Sequence, residues 1–429
     1  MKSFSIKRNV AFVTAVLVLI LSGCQKELTD DLESRSTQPD IFNEIAESPQ
    51  MREMQSHLID EEATLRKRYV TFDSTQMLNA VTSENQVRLN LFEDYELVAR
   101  TEKLDLRKGV HSWTGTVDGA EYSYINLSFV EDHIMGMVHV DDIMFAIQPL
   151  GDGRHVIAEV VQSNFLDGNC EKIIESDHSE EHGHEPHSTN KVTSNVLKVM
   201  LVIPNDGMKI FCSNSFMKNL LEVQAENSLN NAFNTDYYTT GFSANVQIVC
   251  SSYKPTKDPD TDLDWLSNDV SISVMRNITN SDLVCMFVDK LNNACGYGET
   301  PSNVSSSTSN ACHTLVKYSC AFGYYTFPHE IGHNLGMYHD RYVETGNDNQ
   351  AGRCGYGYVY NWSGGKGRSI MAYPDWCEDN GKTCNKRGRY SFGLFQFGKM
   401  CGLNSTALSG SASNLSQLHD AFPYVTAYR

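Results

Sequence analysis

The sequence predicts an α/β domain in the second half of a 429-residue chain, preceded by a small β-rich domain. Apolar strands alternate with amphipathic helices from residue 196 onward, and the order strand, helix, strand, helix, strand requires parallel strands with helical crossovers. Short alternating runs separated by Gly-containing turns fill residues 89–161 and predict the β part. We therefore expect a mostly parallel sheet in the α/β domain.

The expected elements follow the chain in order. Residues 41–68 carry helical patches within a polar stretch. The β-rich domain and the α/β domain then contain these elements: strands 110–117, 122–129, 134–140 and 143–147, strand 196–203, helix 216–233, strand 244–250, helix 262–278, strand 283–288, edge strand 312–320 and helix 324–335.

The chain divides into four segments by composition. Residues 1–23 read as a signal peptide, 24–170 as a tether and the β-rich domain, 171–191 as a linker, and 192–429 as the α/β domain. The linker is acidic and His-rich with few apolar residues, so it cannot bury enough surface to order itself. Its four His could bind a metal weakly, although a solvated, protease-accessible linker is the favoured interpretation.

The N-terminus predicts export. A basic start precedes the apolar run 10–21, which is too short to span a bilayer comfortably. The junction that ends in Cys24 resembles a bacterial lipobox, which implies lipidation of Cys24 and a location at the outer membrane or cell surface, with release after processing left open. A plain signal peptide with an incidental Cys is the alternative. The lipid would be the only membrane anchor.

Charge and cysteine content agree with this interpretation. The net charge is −18, from 35 basic and 53 acidic residues, which disfavours nucleic acid as a partner. Twelve Cys in an exported chain indicate disulfides formed in an oxidising compartment. If Cys24 is lipidated and the ten Cys from Cys212 to Cys401 pair among themselves, Cys170 is left alone.

A cluster of metal-ligand residues lies in the predicted helix 324–335. His329 and His333 are four residues apart, so both imidazoles can face one ion, and Gly336 can turn the chain so that His339 supplies a third ligand. Three nitrogen ligands leave a fourth position for water, as in catalytic zinc sites. Glu330 is placed to act on that water as general base and then as acid, which predicts hydrolysis of peptide bonds with one Zn²⁺ as cofactor.

Residues 327–340 as a whole resemble the signature of the metzincin zinc proteases, and Asp340 makes the match similar to the adamalysin or reprolysin branch. The resemblance implies a twisted, mostly parallel five-stranded sheet and a Met-containing turn beneath the metal, for which Met371 is the matching residue. In this resemblance Asp340 has a structural role and holds the loop beneath the site. Gly336 is also structural, because it lies where the helix ends. Tyr373 departs from the adamalysin pattern and resembles astacins and serralysins, where this hydroxyl approaches the metal or stabilises the oxyanion.

The resemblance extends more weakly to the N-terminal region, which looks like a reprolysin propeptide. It implies a latent zymogen in which the thiolate of Cys170 takes the fourth zinc position until an activating protease removes it. The residues around Cys170 do not match the family's switch motif closely, and Asp167 or the linker His are rival inhibitory ligands. An intermolecular disulfide, or a disulfide to the α/β domain, is the other interpretation of Cys170.

Local cysteines are expected to shape the cleft. Cys295 lies beside a Gly-Tyr-Gly segment that the resemblance places at the rim where substrate adds as an antiparallel strand. Cys377 and Cys384 are expected to close a loop after the Met-turn, near the pocket for the residue beyond the scissile bond. His313 and His419 have no partners at metal-ligand spacing and are interpreted as exposed or packing residues.

The predicted function is an endopeptidase that hydrolyses extracellular proteins or peptides. Two rivals stand beside it. One is a non-catalytic surface binding protein, which the intact Glu330 and three His disfavour; the other is a thermolysin-like zinc peptidase whose third ligand is a distant Glu.

Overall fold

The computed structural model describes residues 39–165, 171–174, 194–234, 239–301, 304–345, 355–362, 365–392 and 412–429. The expectations for Cys24, for Cys170 and for linker residues 175–191 fall outside the described residues.

The N-terminal region is built on one antiparallel sheet of nine strands, larger than the sequence predicts. The spatial order is β1-β2-β9-β8-β7-β6-β5-β4-β3. The strands are β1 Phe42–Glu44, β2 Thr64–Phe72, β3 Gln86–Phe92, β4 Tyr95–Arg107, β5 Val110–Thr116, β6 Ser123–Val130, β7 His133–Val140, β8 Ile143–Gly151 and β9 Arg154–Val160.

The expectation of helical patches over residues 41–68 is correct only for Pro49–Leu58. Strands β1 and β2 flank that helix and pair antiparallel with each other. The first half of β2 is Thr-Leu-Arg-Lys-Arg, so charged side chains obscure the apolar alternation there. Its partner β9 supplies a counter-charge, because Glu159 accepts a hydrogen bond from Arg66 at 2.6 Å.

The second sheet is mixed and holds the five strands expected for the α/β domain. Their order is β14-β15-β13-β11-β12, and β14 alone runs antiparallel to its neighbour. These strands are β11 Val196–Ile203, β12 Ser243–Cys250, β13 Leu283–Val288, β14 Gly296–Pro301 and β15 His313–Lys317. The prediction that 312–320 is an edge strand is wrong, because β15 lies between β13 and β14. The Gly-rich start of β14 hid its strand character in the sequence.

A sixth strand, β10 Glu171–Ile174, adds to the outer edge of β14 in parallel. Glu171 pairs with Gly298, and Ile174 pairs with Pro301. The first four residues of the predicted linker are therefore ordered by backbone pairing, a source of stability that composition does not reveal.

The helices of the described residues pack around both sheets. They are Pro49–Leu58, Ser74–Asn79, Ser215–Phe233, Pro259–Asn268, Val270–Thr279, Tyr318–Ala321, Thr326–Asn334, Arg341–Thr345, Asp375–Asp379 and Asn414–Val425, with short π or 3₁₀ turns at Ala80–Glu84, Gln162–Asn164, Gly207–Cys212 and Ser306–Thr308. Four short strands complete the α/β domain: β16 Tyr338–Asp340, β17 Tyr356–Gly357, β18 Val359–Trp362 and β19 Gly365–Arg368.

The predicted helix 262–278 is two helices that meet at Asp269. The Asp269 backbone is extended, and its carboxylate accepts hydrogen bonds from the amides of Ser271 and Ile272. Asp269 is therefore the N-cap of the second helix. Among the described helices, none combines the length and the apolar composition needed to cross a membrane.

Three disulfides brace the described part of the α/β domain. They are Cys212–Cys250, Cys295–Cys320 and Cys377–Cys384, and the last closes the local loop expected after Met371. Cys285 and Cys312 are buried free thiols. The expectation that all ten C-terminal Cys pair among themselves is wrong, because Cys285 lies across the ladder from Thr314 rather than from another Cys.

The N-terminal sheet contacts the long helix Ser215–Phe233 through buried polar groups. Glu222 and Glu226 of this helix are less than 10% exposed and form ion pairs with Arg107 and Lys108 of the N-terminal region. The same two carboxylates accept hydrogen bonds from backbone amides of β12. Glu222 and Glu226 thus connect the helix both to the edge strand β12 and to the N-terminal region.

His139 is a second buried polar contact between the two regions. Its Nδ1 lies 3.0 Å from the hydroxyl of Tyr325, and its Nε2 lies 3.1 Å from Arg387. Because the Arg can only donate, Nε2 accepts and Nδ1 carries the proton. Burial, and then the charge of Arg387, lower the pKa of His139 well below its usual value. The packed state therefore holds a neutral imidazole.

This arrangement predicts an acid-sensitive chain. A His with a lowered folded-state pKa stabilises the fold above its unfolded pKa of about 6.5 and loses stability as the pH falls below it, by about 1.4 kcal/mol per pH unit. Between pH 6.5 and 5.5, the free energy of unfolding of His139→Gln in urea should therefore fall by about 1 kcal/mol less than that of the parent, since the unfolded imidazole is already half protonated at pH 6.5. The exposed His419→Gln should follow the parent, and identical profiles for all three proteins would contradict the assignment.

Candidate active site

The helix Thr326–Asn334 carries the first two predicted ligands. It follows Tyr325, whose φ of 57° turns the chain sharply into the first turn. Pro328 lies in that first turn, where a backbone N–H needs no helical partner, so it does not disturb the helix. The Pro328 carbonyl accepts a hydrogen bond from the hydroxyl of Tyr390 at 2.5 Å.

The helix ends at Asn334, and two residues later the chain turns at Gly336. Its φ is +73°, a value that favours glycine. The amides of Gly336 and Met337 donate to the carbonyls of His333 and Gly332, which is the Schellman pattern. A Cβ at Gly336 would lie 2.7 Å from Val304 Cγ2, so the position excludes side chains by space as well as by conformation. The chain then returns through β16, which contains His339.

The structure brings the three His together. The Nε2 atom of His333 lies 3.2 Å from that of His329 and 3.1 Å from that of His339. A tetrahedral ion with bonds of about 2.0–2.1 Å requires ligand nitrogens roughly 3.3–3.4 Å apart. The three imidazoles thus form a group that can hold one metal ion.

Each imidazole is oriented through its other nitrogen. Nδ1 of His329 lies 2.9 Å from the carbonyl oxygen of Ile370, and Nδ1 of His333 lies 3.1 Å from that of Met337. Nδ1 of His339 lies 2.8 Å from a carboxylate oxygen of Glu344. Since all three partners accept, Nδ1 donates in each case and the Nε2 lone pairs face the common centre.

The electrostatics favour the form that binds a metal. Burial, then the charge of Lys386 and the neighbouring imidazoles, lower the pKa of His329 well below its usual value. Burial is also the largest cause of the lowered pKa of His333. Both rings are therefore neutral near pH 7.

Glu330 projects toward the edge strand β14 and is 1% exposed. A Cβ on Gly296 would lie 2.2 Å from Oε1 of Glu330, and one on Gly298 would lie 2.8 Å from its Oε2. Both glycines thus leave the space that the carboxylate fills. This role was not evident from the sequence, which predicted only that the Gly-Tyr-Gly segment lies at the rim of the substrate cleft.

Met371, the residue predicted for a Met-turn, packs against the helix that carries His329 and His333. A Cβ on Gly332 would be 2.6 Å from its Sδ atom, so the thioether packs against the helix between the two ligands that it carries. Met371 is fully buried. Gly332 is therefore required by this close approach.

Asp340 links the third-ligand segment to the Met-turn. Its carboxylate accepts hydrogen bonds from the amides of Tyr373 and Tyr342 at 2.9 and 3.1 Å. Burial raises its pKa to about 6. The ring of Tyr373 stacks on His339 with a centroid distance of 4.2 Å, so it lines the site beside the third ligand.

Two further residues at the site were missed by sequence reasoning. Glu344 has no fixed spacing that marks it, and only the return of the chain brings it to His339. Lys386 is 2% exposed and its charge contributes to the lowered pKa of His329, but the sequence places it in an unremarkable basic run.

His313, expected to be exposed or to pack, is buried and lies 2.9 Å from a carboxylate oxygen of Glu299.

A sequence profile described as Metallo-peptidase family M12 matches residues 193–388. This range contains the three His, Glu330 and Met371. Residues 193–388 are thus similar in sequence to the metallopeptidases of family M12.

Curated relatives are also similar to this chain and are named as metalloendopeptidases. A peptidyl-Asp metalloendopeptidase of Stenotrophomonas maltophilia is 27% identical over 266 residues, covering 56% of this chain and 57% of the relative. A protein of the same name from Xanthomonas campestris is 26% identical over 265 residues, covering 57% and 58%. The chain thus spans less than two thirds of the length of these relatives.

One solved structure, the crystal structure of metalloproteinase-II from Bacteroides fragilis, is 11% identical and covers 61% of this chain and 85% of that one. The TM-score is 0.37, which is too low to support an inference.

The contact of Glu344 with His339 predicts that Glu344 increases the affinity of the site for zinc. Replacing such an outer partner typically costs about 10- to 100-fold in affinity. Zinc competition against a chromophoric chelator should therefore show a loss of that size for Glu344→Ala, which removes the acceptor, and none for the exposed Glu378→Ala. Equal affinities for the parent and Glu344→Ala would show that the carboxylate does not orient His339.

Proposed function

We propose that this chain is a zinc-dependent endopeptidase that cleaves extracellular proteins or peptides. The observation that carries the proposal is the convergence of three Nε2 atoms: those of His329 and His339 lie 3.2 and 3.1 Å from that of His333, and the buried carboxylate of Glu330 belongs to the same helix. The donor set fits zinc, which prefers imidazole nitrogens and, in catalytic sites, keeps a position open. The similarity to family M12 supports it independently.

In this proposal His329, His333 and His339 hold the ion. When bound, zinc supplies a Lewis acid that makes water more acidic and polarises the scissile carbonyl. Glu330 takes a proton from the attacking water and later delivers it to the leaving amine. The ring of Tyr373 stacks on His339, which supports a role for its hydroxyl in stabilising the developing negative charge.

The substrate peptide is proposed to lie along β14. This strand is the edge of the five-stranded sheet, and the spaces at Gly296 and Gly298 bring Glu330 against it. An antiparallel peptide would complete the backbone hydrogen bonds of that edge and carry its scissile bond past the carboxylate.

Glu330→Ala tests the mechanism. Loss of the general base should reduce peptide cleavage by about 10²–10⁴-fold, since that is the usual contribution of such a group, while zinc remains bound to the three His. Activity is followed with a quenched fluorescent peptide, and zinc by elemental analysis. The exposed Glu378→Gln serves as the control. Retained cleavage by Glu330→Ala would refute this role.

We further propose that the preferred substrates contain an acidic residue beside the scissile bond. The curated relatives are named for action at peptidyl-Asp, and they match over the region that carries the site. At 26–27% identity this is a proposal for the present chain.

The N-terminal region is proposed to keep the enzyme latent. Strand β10 pairs with β14 and so uses the edge that a substrate would need. It runs parallel to β14, opposite to the direction proposed for substrate. In sequence, Cys170 directly precedes Glu171, whose Cα partner is Gly298 beside Glu330. This supports Cys170 as the residue that takes the fourth position on zinc in the latent form, with Asp167 as its rival.

Two variants of the unprocessed chain distinguish these ligands. If the thiolate of Cys170 blocks the metal, Cys170→Ala should cleave peptides without processing, because water can then occupy the open position, and Asp167→Asn should stay latent. The readout is the rate of cleavage before and after limited proteolysis within residues 175–196. The opposite pattern would assign the block to Asp167. Latency of both variants would show that the block is steric or uses another ligand, such as a linker His.

Export as a lipoprotein anchored through Cys24 remains part of the proposal. Three disulfides in the described residues suit an oxidising compartment. Activation by another protease would then remove the N-terminal region at the cell surface or outer membrane.

A further inference from the structure

One pocket of the α/β domain is rich in hydrogen-bond donors. Its volume is about 220 Å³, below the ~300–1,000 Å³ of pockets that hold drug-sized ligands. None of the described residues in its lining is an Asp or a Glu. The polar part of the lining includes Ser273, Arg276, Ser309, Asn310, His313 and Arg429. Its size and its basic side chains therefore suit a small anionic group.

The pocket lies on the face of the second sheet that is opposite to the metal-ligand helix. Thr314 of β15 points toward that helix, because a Cβ on Gly298 would lie 3.1 Å from its Cγ2 atom and 2.8 Å from Oε2 of Glu330. Successive residues of a strand point to opposite faces of a sheet, so His313 points away from the helix. A ligand in the pocket would therefore occupy a site distinct from the metal site.

Arg276 is the buried cation of this pocket. It lies in the last turn of the helix Val270–Thr279 and is 4% exposed. Its guanidinium donates one hydrogen bond to each of three main-chain carbonyls, those of Ser281, Asp282 and Ser309. Since a guanidinium has five N–H donors, two remain for a ligand. Among the described residues, no carboxylate forms an ion pair with Arg276.

The carboxylate of Asp282 is directed toward β11 and does not line the pocket. It accepts a hydrogen bond from the amide of Lys198 at 2.8 Å, and the amide of Asp282 donates to the Lys198 carbonyl at the same distance. Burial raises the pKa of Asp282 to about 6. This carboxylate therefore offsets the charges of Arg276 and Arg429 only in part.

Other side chains of the lining add donors from separate segments of the chain. In the described part of the chain, the side chains of Ser273, Ser309 and Asn310 form no hydrogen bond with another residue. Arg429 is exposed, and its guanidinium donates to the carbonyl of Tyr428 at 3.0 Å. Hydroxyl, amide and guanidinium groups thus meet at one space, a donor set that favours an anion with several acceptor oxygens.

His313 bounds the pocket on the side of β15. It is 7% exposed, and its Nδ1 lies 2.9 Å from a carboxylate oxygen of Glu299 in β14. Burial lowers the pKa of His313, but the Cys312 sulfur and the Glu299 carboxylate raise it more, to about 10. The imidazole is therefore protonated near pH 7, a form that tolerates an anion beside it.

We propose that this pocket binds a tetrahedral oxyanion, either phosphate or sulfate. The two remaining N–H groups of Arg276 would donate to two of its oxygens, and Arg429 with the hydroxyl and amide groups of the lining would donate to the others. A carboxylate has only two oxygens and would leave several of these donors without an acceptor. The site does not depend on the proposed peptidase function, because it shares no residue with the metal site.

Isothermal titration calorimetry of the full chain with sodium phosphate, sodium sulfate and sodium acetate at equal ionic strength tests the proposal. Phosphate or sulfate should bind to one site, and acetate should bind about 10- to 100-fold more weakly, the loss expected for one charge-assisted hydrogen bond. Ser273→Asp places a carboxylate in the lining and should weaken oxyanion binding about 10-fold or more. Asn277→Asp adds the same charge to the exposed surface of the same helix and should keep the parent affinity.

Two arginine variants measure the separate contributions. Arg429→Gln should weaken binding about two- to fivefold, as expected for an exposed charge. Arg276→Gln should weaken it about 10- to 100-fold. Because Arg276→Gln also removes internal hydrogen bonds, circular dichroism checks its fold, and Ser273→Asp decides the question if that variant does not fold. Failure of the parent to bind either oxyanion, acetate binding as tight as that of the oxyanions, or equal affinities for Ser273→Asp and Asn277→Asp would overturn the proposal.

Discussion

The structure of the site depends on the orientation of three imidazole rings around one point. Each imidazole of His329, His333 and His339 donates through Nδ1 to a fixed acceptor, so that each Nε2 faces the same centre. Two of the acceptors are main-chain carbonyls of Ile370 and Met337. The loops that supply these carbonyls must therefore be held to the ligand helix.

Several features of the α/β domain follow from this constraint. Gly332 has no side chain because Met371 packs there, and Gly336 is left-handed because the chain must return to His339. Asp340 ties the returning chain to the Met-turn through the amide of Tyr373. On the opposite side, β14 approaches so closely that only glycine fits beside Glu330. The cleft and the ligand group are thus built by the same close contacts.

Sequence reasoning predicted the local part of this arrangement. Strands β11, β12 and β13, the ligand helix and the turn at Gly336 follow from periodicity and from the spacing of His329, His333 and His339, which are local properties. The partners that come from distant segments did not follow. Glu344 and Lys386 reach the site only through the folded loops, and the position of β15 depends on a return strand with weak strand character. The size of the N-terminal sheet was underestimated because the charged half of β2 hides its alternation.

The central claim is that three imidazoles, and no protein carboxylate, hold one zinc ion in the processed enzyme. X-ray absorption spectroscopy at the zinc edge measures this directly. The account predicts three imidazole nitrogens at about 2.0–2.1 Å with one further light-atom ligand from solvent. Two imidazoles with a carboxylate, as in a thermolysin-like site, would contradict it.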